Sequence, residues 1–154
     1  MRISSVWTTR QRRVYLIDTN VISEARKKDK ADPGVRRFFA QVEAEDTPLY
    51  LSVVTVGELR RGVELIRHRG DTLQARQLEA WLQTVLTEYA DCILPMDEEV
   101  AQLWGRLRVP YPEHALDKQI AATALIHSLT VVTRNQGDFE ATGVRVLNPF
   151  GKMA

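Results

Sequence analysis

The sequence predicts an α/β fold, a mostly parallel central sheet flanked by helices and carrying an αα-hairpin arm, and three observations point to it. Short runs of bulky and β-branched residues, the first being Val14-Tyr15-Leu16-Ile17, have the length and apolarity of strands covered on both faces. These runs alternate with longer stretches in which apolar residues recur every three or four positions, the period of a helix packed on one side. Strands separated by helices join through right-handed crossovers, which leave the strands parallel and put the helices on the faces.

The 154 residues, 44% apolar and 27% charged, suit one folded domain and argue against disorder. No apolar run approaches the roughly 18 residues a membrane span needs, and the first residues lack a signal peptide's apolar core, so the expectation is a cytoplasmic protein with no membrane partner. A single cysteine, Cys92, excludes an intramolecular disulfide and is expected as a small core residue. His68, His114 and His127 are scattered without zinc-ligand spacing. The formal charge of +1 hides basic clusters at Arg26, Lys27 and Lys28 and at Arg60 and Arg61, which are either solvated faces or contacts to a phosphate backbone.

Residues 1–13 carry four arginines and no periodicity and are read as an N-terminal extension to a domain spanning 14–150. The first strand then runs into Asp18, and Thr19, Asn20 and Ser23 each suit a turn or cap before a helix. In open α/β sheets ligands bind beyond the carboxyl ends of the strands, so Asp18 either caps the next helix or stands where chemistry is done. Val35, Phe38, Phe39 and Val42 make an amphipathic helix, and residues 43–48 break it. Leu49 to Val54 reads as the second strand. The following Thr55-Val56-Gly57-Glu58 matches a capping box ahead of Leu59, Val63 and Ile66 on one helical face. Glu58 is thus either a cap or a second acid at a strand end.

After a break at residues 67–71, a stripe of Leu78, Trp81, Leu82, Val85, Leu86 and Tyr89 completes the αα-hairpin. Cys92 to Met96 is a strand candidate. Asp97, Glu98 and Glu99 then open a helix carrying Val100, Leu103, Trp104 and Leu107, and the positive end of the helix dipole explains these three acids. Two prolines in residues 109–113 end that helix. The next helix begins near Asp117 and runs through Ile126, its small residues allowing close approach to a sheet. Leu129 to Thr133 is a buried strand, residues 134–139 a polar loop containing Asn135 and Asp138, and Val144 to Leu147 the last strand. A hard divalent cation needs several oxygen ligands, so Asp18, Glu58, Asp117 and the Asn135/Asp138 pair would have to gather at one sheet edge to hold one.

The stretches Leu16-Ile17-Asp18-Thr19-Asn20-Val21-Ile22-Ser23, Thr55-Val56-Gly57-Glu58-Leu59-Arg60-Arg61-Gly62, Asp117 with Ile120-Ala121-Ala122-Thr123-Ala124, and Thr133-Arg134-Asn135 with Asp138-Phe139 and Asn148-Pro149 resemble the PIN-domain ribonuclease toxins of VapC or FitB type. The resemblance covers residues 14–150 with four motifs in the family's order. It implies a PIN-like fold and a metal-dependent endoribonuclease in which Mg²⁺ or Mn²⁺ is held by Asp18, Glu58 and Asp117. The fourth acid falls either at Asn135 or three residues later at Asp138, and Asp138 is the expectation, with Asn135 as a neutral ligand or orienting group. Asn20 and Thr133 would support the carboxylates by hydrogen bonds, and Arg26, Lys27, Lys28, Arg60 and Arg61 would contact RNA. The resemblance further implies a homodimer inhibited by a small cognate antitoxin whose other end binds operator DNA.

Two other classes fit parts of the sequence. A catalytically inactive PIN-fold binding module, acting in a DNA-bound regulatory complex, would account for Asn135 standing where an acid is common. A phosphotransfer or receiver-like domain would use Asp18 as nucleophile, but the Asp18-Thr19-Asn20 turn lacks a second acid.

Overall fold

The structure, a computed structural model, describes residues 13–151; apart from Arg13, the expected N-terminal extension lies outside the described residues. In chain order the elements are β1 (Tyr15–Ile17), α1 (Thr19–Ala25), α2 (Pro33–Ala44), β2 (Leu49–Ser52), α3 (Val53–His68), α4 (Thr72–Glu88), β3 (Ile93–Leu94), α5 (Glu98–Leu107), α6 (Ala115–Ile126), β4 (Thr130–Val132) and β5 (Val146–Leu147). Short 3-10 turns lie at Lys28–Lys30, Ala90–Cys92 and Gln136–Thr142. The strands form one parallel sheet in the order β3-β2-β1-β4-β5, as the alternation of strands and helices predicts. The first strand is therefore central, and the chain's early acid sits between elements that arrive much later.

Alternate side chains along a strand point to opposite faces, and here that splits the core in two. Ile17 and Val132 belong to the larger cluster, with Val21, Val35, Leu51, Leu59 and Leu82. Leu16 and Val131, one residue earlier in each strand, belong to the other, with Ile120, Ala124 and Phe139. Sandwiched burial of this kind needs apolar residues at consecutive positions, which is why the strands read as unbroken apolar runs. The hairpin arm α3–α4 is part of the larger cluster through Leu59, Val63, Leu82 and Val85. Its outer side carries Arg60 paired with Glu64 and Glu79, and Arg67 with the same two acids.

The structure corrects the reading of residues 49–58. The strand ends at Ser52, whose Oγ accepts from the Val54 amide at 3.0 Å and caps α3. Val53 and Val54 are helical in spite of their β-branching, because a cap residue and tertiary packing outweigh a propensity of at most about 1 kcal/mol. Thr55 is accordingly inside the helix and fully buried, and the expected capping box does not form. Other strands are shorter than expected at 93–94 and 146–147, and the polar loop after β4 is a 3-10 turn. Cys92 is half-buried at the end of a 3-10 turn rather than enclosed in the core.

One glycine is fixed by contact. A Cβ on Gly34 would stand 2.1 Å from the Pro149 carbonyl oxygen. The closeness has a purpose, since the Gly34 amide donates to Gly151 O at 3.1 Å and the Gly151 amide donates to Asp32 Oδ1 at 3.1 Å. Asp32 also caps α2 through the amides of Gly34 and Val35. The segment after β5 is thereby tied to the start of α2, with Arg134 stacked on the Phe150 ring at 3.9 Å.

Candidate active site

Asp18 is the first residue beyond β1 and the N-cap of α1. Burial pushes its carboxyl above the usual range, opposed by hydrogen bonds from Thr133, the Thr19 amide and Asn20, while the nearby charge of Glu58 pushes the same way as burial. The geometry is explicit. Oδ1 accepts from Thr19 N at 2.8 Å, and Oδ2 accepts from Thr133 Oγ1 at 2.8 Å and Asn20 Nδ2 at 3.2 Å. A carboxylate with so many donors is held in one orientation, and capping accounts for only the first of them.

The donors are themselves anchored. Asn20 Oδ1 accepts from the Arg134 amide at 3.0 Å, and Thr133 Oγ1 accepts from the Asn135 amide at 3.0 Å. One amide side chain and one hydroxyl thus bind the end of β1 to the end of β4. Thr19 adds a link: its Oγ1 donates to Glu58 Oε1 at 2.6 Å, drawing the acid on α3 toward the acid of β1. With Ser52 capping the helix, Glu58 has no capping duty and is free to point across to Thr19. Thr19 was legible only as a turn residue, and its position directly after the acid is the signal that could have identified it.

Asp117 lies in the first turn of α6. Gln119 sets the helix in place, its Oε1 accepting from Ser52 Oγ at 3.1 Å in a fully buried contact. Trp104 Nε1 donates to Ala115 O at 2.9 Å, and the half-turn before the helix is held by Lys118 Nζ donating to Tyr111 O. Asp117 is pushed up to about 6, by burial first, then by the charges of Asp18 and Asp138, with His114 opposing and Glu58 adding to the rise. The four acids at 18, 58, 117 and 138 come from four separate segments, and Asp117 feels the charges of the other three. Asp138 comes from the 3-10 turn after β4, whereas Asn135, at the start of that turn, contributes its amide to Thr133.

His114 lies in the same cluster, and no motif or spacing in the sequence places it there. Its Nε2 is 3.8 Å from Asp138 Oδ1 and its Nδ1 is 4.0 Å from Asp117 Oδ2. His114, Asp117 and Asp138 each offer a ligand atom such that all three lie within 4.8 Å of one another.

The basic residues are arranged unevenly. Arg60 faces α4 and pairs with Glu64 at 3.2 Å and Glu79 at 3.5 Å, while Lys27 pairs with Glu24 at 3.0 Å. Arg26 and Lys28 line a groove of about 550 Å³ with Gln74, Leu78 and Trp81 of α4. Arg61 stands three residues after Glu58 in α3, and residues so spaced share a helix face.

Comparison with known proteins agrees with this architecture. A protein-family model described as PIN domain matches residues 15–144. The chain is 40% identical over 143 residues to Toxin FitB of Neisseria gonorrhoeae, covering 89% of this chain and 99% of the relative. It is 34% identical over 144 residues to VapC ribonuclease Y4jK of Sinorhizobium fredii, covering 89% and 98%. A solved structure of FitAB bound to an IR36 DNA fragment contains a chain with 37% identity and a TM-score of 0.72, covering 92% of this chain and 99% of that one.

Proposed function

The chain belongs to the PIN-domain family, among its FitB-type and VapC toxins, and from that membership we propose that it is a metal-dependent endoribonuclease, the toxin of a type II toxin–antitoxin pair. The observation that carries the chemistry is the gathering of acids from four segments at one sheet edge, where burial first, and then the charges of Asp18, Asp138 and Glu58, raise Asp117. Acids crowded until one resists ionisation are unfavourable by themselves and become favourable around a cation, and an all-oxygen set of this kind suits Mg²⁺ or Mn²⁺. Asp18, Glu58, Asp117 and Asp138 would hold it. When bound, such a cation neutralises charge on the phosphoryl group and makes a water nucleophilic near neutral pH.

The remaining work falls to the chain. Thr133 and Asn20 fix the Asp18 carboxylate, and Thr19 fixes Glu58, so the ligand set is oriented before metal or RNA arrives. Asn135 supports it by holding the Thr133 hydroxyl in place. Of Arg26, Lys27, Lys28, Arg60 and Arg61, Arg61 is the RNA contact favoured by position, because it shares the face of Glu58 and, unlike Arg60 and Lys27, forms no ion pair among the described residues. Residues 14–150 would make up the nuclease unit. By analogy with FitAB on DNA, the partners would be a small antitoxin and, through it, operator DNA, with a second copy of the chain completing a homodimer. Among the described residues no helix is long and apolar enough to cross a membrane.

The test is calorimetric titration of Mn²⁺ and Mg²⁺ into antitoxin-free protein, coupled to cleavage of structured RNA in the same samples. Cleavage that needs added metal and stops with EDTA is the expected result. Protein that binds neither ion and cuts nothing would favour the inactive binding module in a DNA-bound complex. For Arg61→Ala, the slope of log K for RNA against log salt should fall by about one unit. An unchanged slope would return Arg61 to solvated surface.

A further inference from the structure

His114 occupies the N-cap position of α6, but its side chain makes no capping hydrogen bond. Its backbone is left-handed, with φ of 56° and ψ of 45°, a conformation in which an L-residue with a Cβ is strained. Capping is commonly the task of Ser, Asp or Asn, as it is at Ser52, Asp71 and Asp97 here. A histidine in a left-handed cap position, doing no capping, has its imidazole turned elsewhere. It is turned toward Asp117 and Asp138, which reach it from α6 and from the turn after β4.

At 3.8 and 4.0 Å, the ring nitrogens are too far from the carboxylate oxygens for hydrogen bonds. The two contacts are made by opposite ring nitrogens, and an imidazole gives an ion only one of them, so a shared cation takes one nitrogen and draws the other carboxylate toward it. With one atom from each residue, the imidazole and the two carboxylates lie within 4.8 Å of one another, a separation that small side-chain rotations close onto one ion.

We propose that His114 is a metal ligand of this chain, joining Asp117 and Asp138 around the cation and making the site selective for Mn²⁺ over Mg²⁺. The inference rests on the metal-nuclease reading above and deepens it. Imidazole nitrogen is a good ligand for the first-row transition ions, whereas Mg²⁺ prefers oxygen and gives up its water reluctantly. An all-carboxylate set has little means of separating the two ions, and one nitrogen supplies it. The backbone strain at residue 114 is then the cost of bringing that nitrogen in, fixed by the Trp104 and Lys118 contacts on either side.

The experiment uses the full chain, stripped of metal and reloaded with Mn²⁺ alone, and reads the ion by pulsed electron paramagnetic resonance. Wild type should show ¹⁴N modulation of the Mn²⁺ echo, and His114→Asn, which tolerates the left-handed backbone, should not. The Mn²⁺ dissociation constant should rise about tenfold in that variant and the Mg²⁺ constant by less than about threefold. His114→Gly, free of strain at this φ, should reproduce the loss and exclude a folding artefact. Mn²⁺ bound to wild type without ¹⁴N modulation, or an unchanged Mn²⁺/Mg²⁺ ratio in both variants, would overturn the proposal and leave His114 a counter-charge. Wild type that binds no Mn²⁺ would instead overturn the metal reading as a whole.

Discussion

Asp18→Asn is expected to lower metal-dependent RNA cleavage by about a thousandfold while the chain stays folded. A bound cation contributes several kcal/mol of charge stabilisation, and each 1.4 kcal/mol is a factor of ten in rate, so a ligand set that no longer holds its ion loses about three decades. Folding should survive for a reason found in the hydrogen bonds. Asn keeps the volume of Asp and one acceptor oxygen, which can still take the Thr19 amide at the helix cap. Its NH₂ group replaces Oδ2, the acceptor for Thr133 and Asn20, at a cost of about 1 to 2 kcal/mol. Removing a buried charge whose ionisation the fold resists offsets part of that cost. Cleavage kinetics with Mn²⁺, beside a thermal melt by circular dichroism, would separate the two effects. A variant that melts like wild type and cuts at a comparable rate would remove Asp18 from the mechanism.

Asp117→Asn should have the opposite effect on stability and the same effect on activity. In the metal-free protein the Asp117 carboxyl is raised to about 6 from an ordinary 3.8. Between those values the folded chain holds a proton that the unfolded chain has released, so wild-type stability falls as pH rises through the window. Below about pH 4 both states are protonated and the penalty vanishes. Above pH 6 it is present in full, on the order of 2 kcal/mol once partial solvent screening is allowed for. Asp117→Asn carries no such penalty. In EDTA at pH 7 it should melt several degrees above wild type, and the gap should close by pH 4. Equal melting temperatures across the range would show that the crowding of acids is relieved in solution. Added Mn²⁺ should raise the melting temperature of wild type and leave the variant nearly unchanged, since only wild type retains the full set of charges.

The sheet was legible in the sequence, and so were Asp18, Glu58, Asp117 and Asp138 as acids near strand ends, for reasons that are local. An apolar run ending in Asp18 marks a strand end whatever follows, and the alternation of periods marks a parallel sheet. The role of Glu58 was obscured because Thr55 and Glu58 fall at capping-box spacing, and only the buried Ser52 contact with Gln119 shows why the helix starts three residues earlier. His114 was out of reach, because its placement depends on Trp104 and Lys118 pinning the preceding loop, contacts that no periodicity encodes. Arg60 is the converse case: next to Glu58 in order, it turns toward Glu79 of the neighbouring helix.

The hydroxyl that orients Asp18 is 115 residues further along the chain, and Asp138 comes later still. During synthesis, therefore, β1 leaves the ribosome long before β4 exists to dock beside it, and the early acid waits with only its neighbours Thr19 and Asn20 to aim it. Contacts this distant in sequence close last. A nascent or prematurely terminated chain lacking residues 133–138 carries the first three acids but not the clasp that assembles them. For an enzyme whose proposed substrate is RNA, this order of events would withhold cleavage from the growing polypeptide until β4 and the turn after it are made.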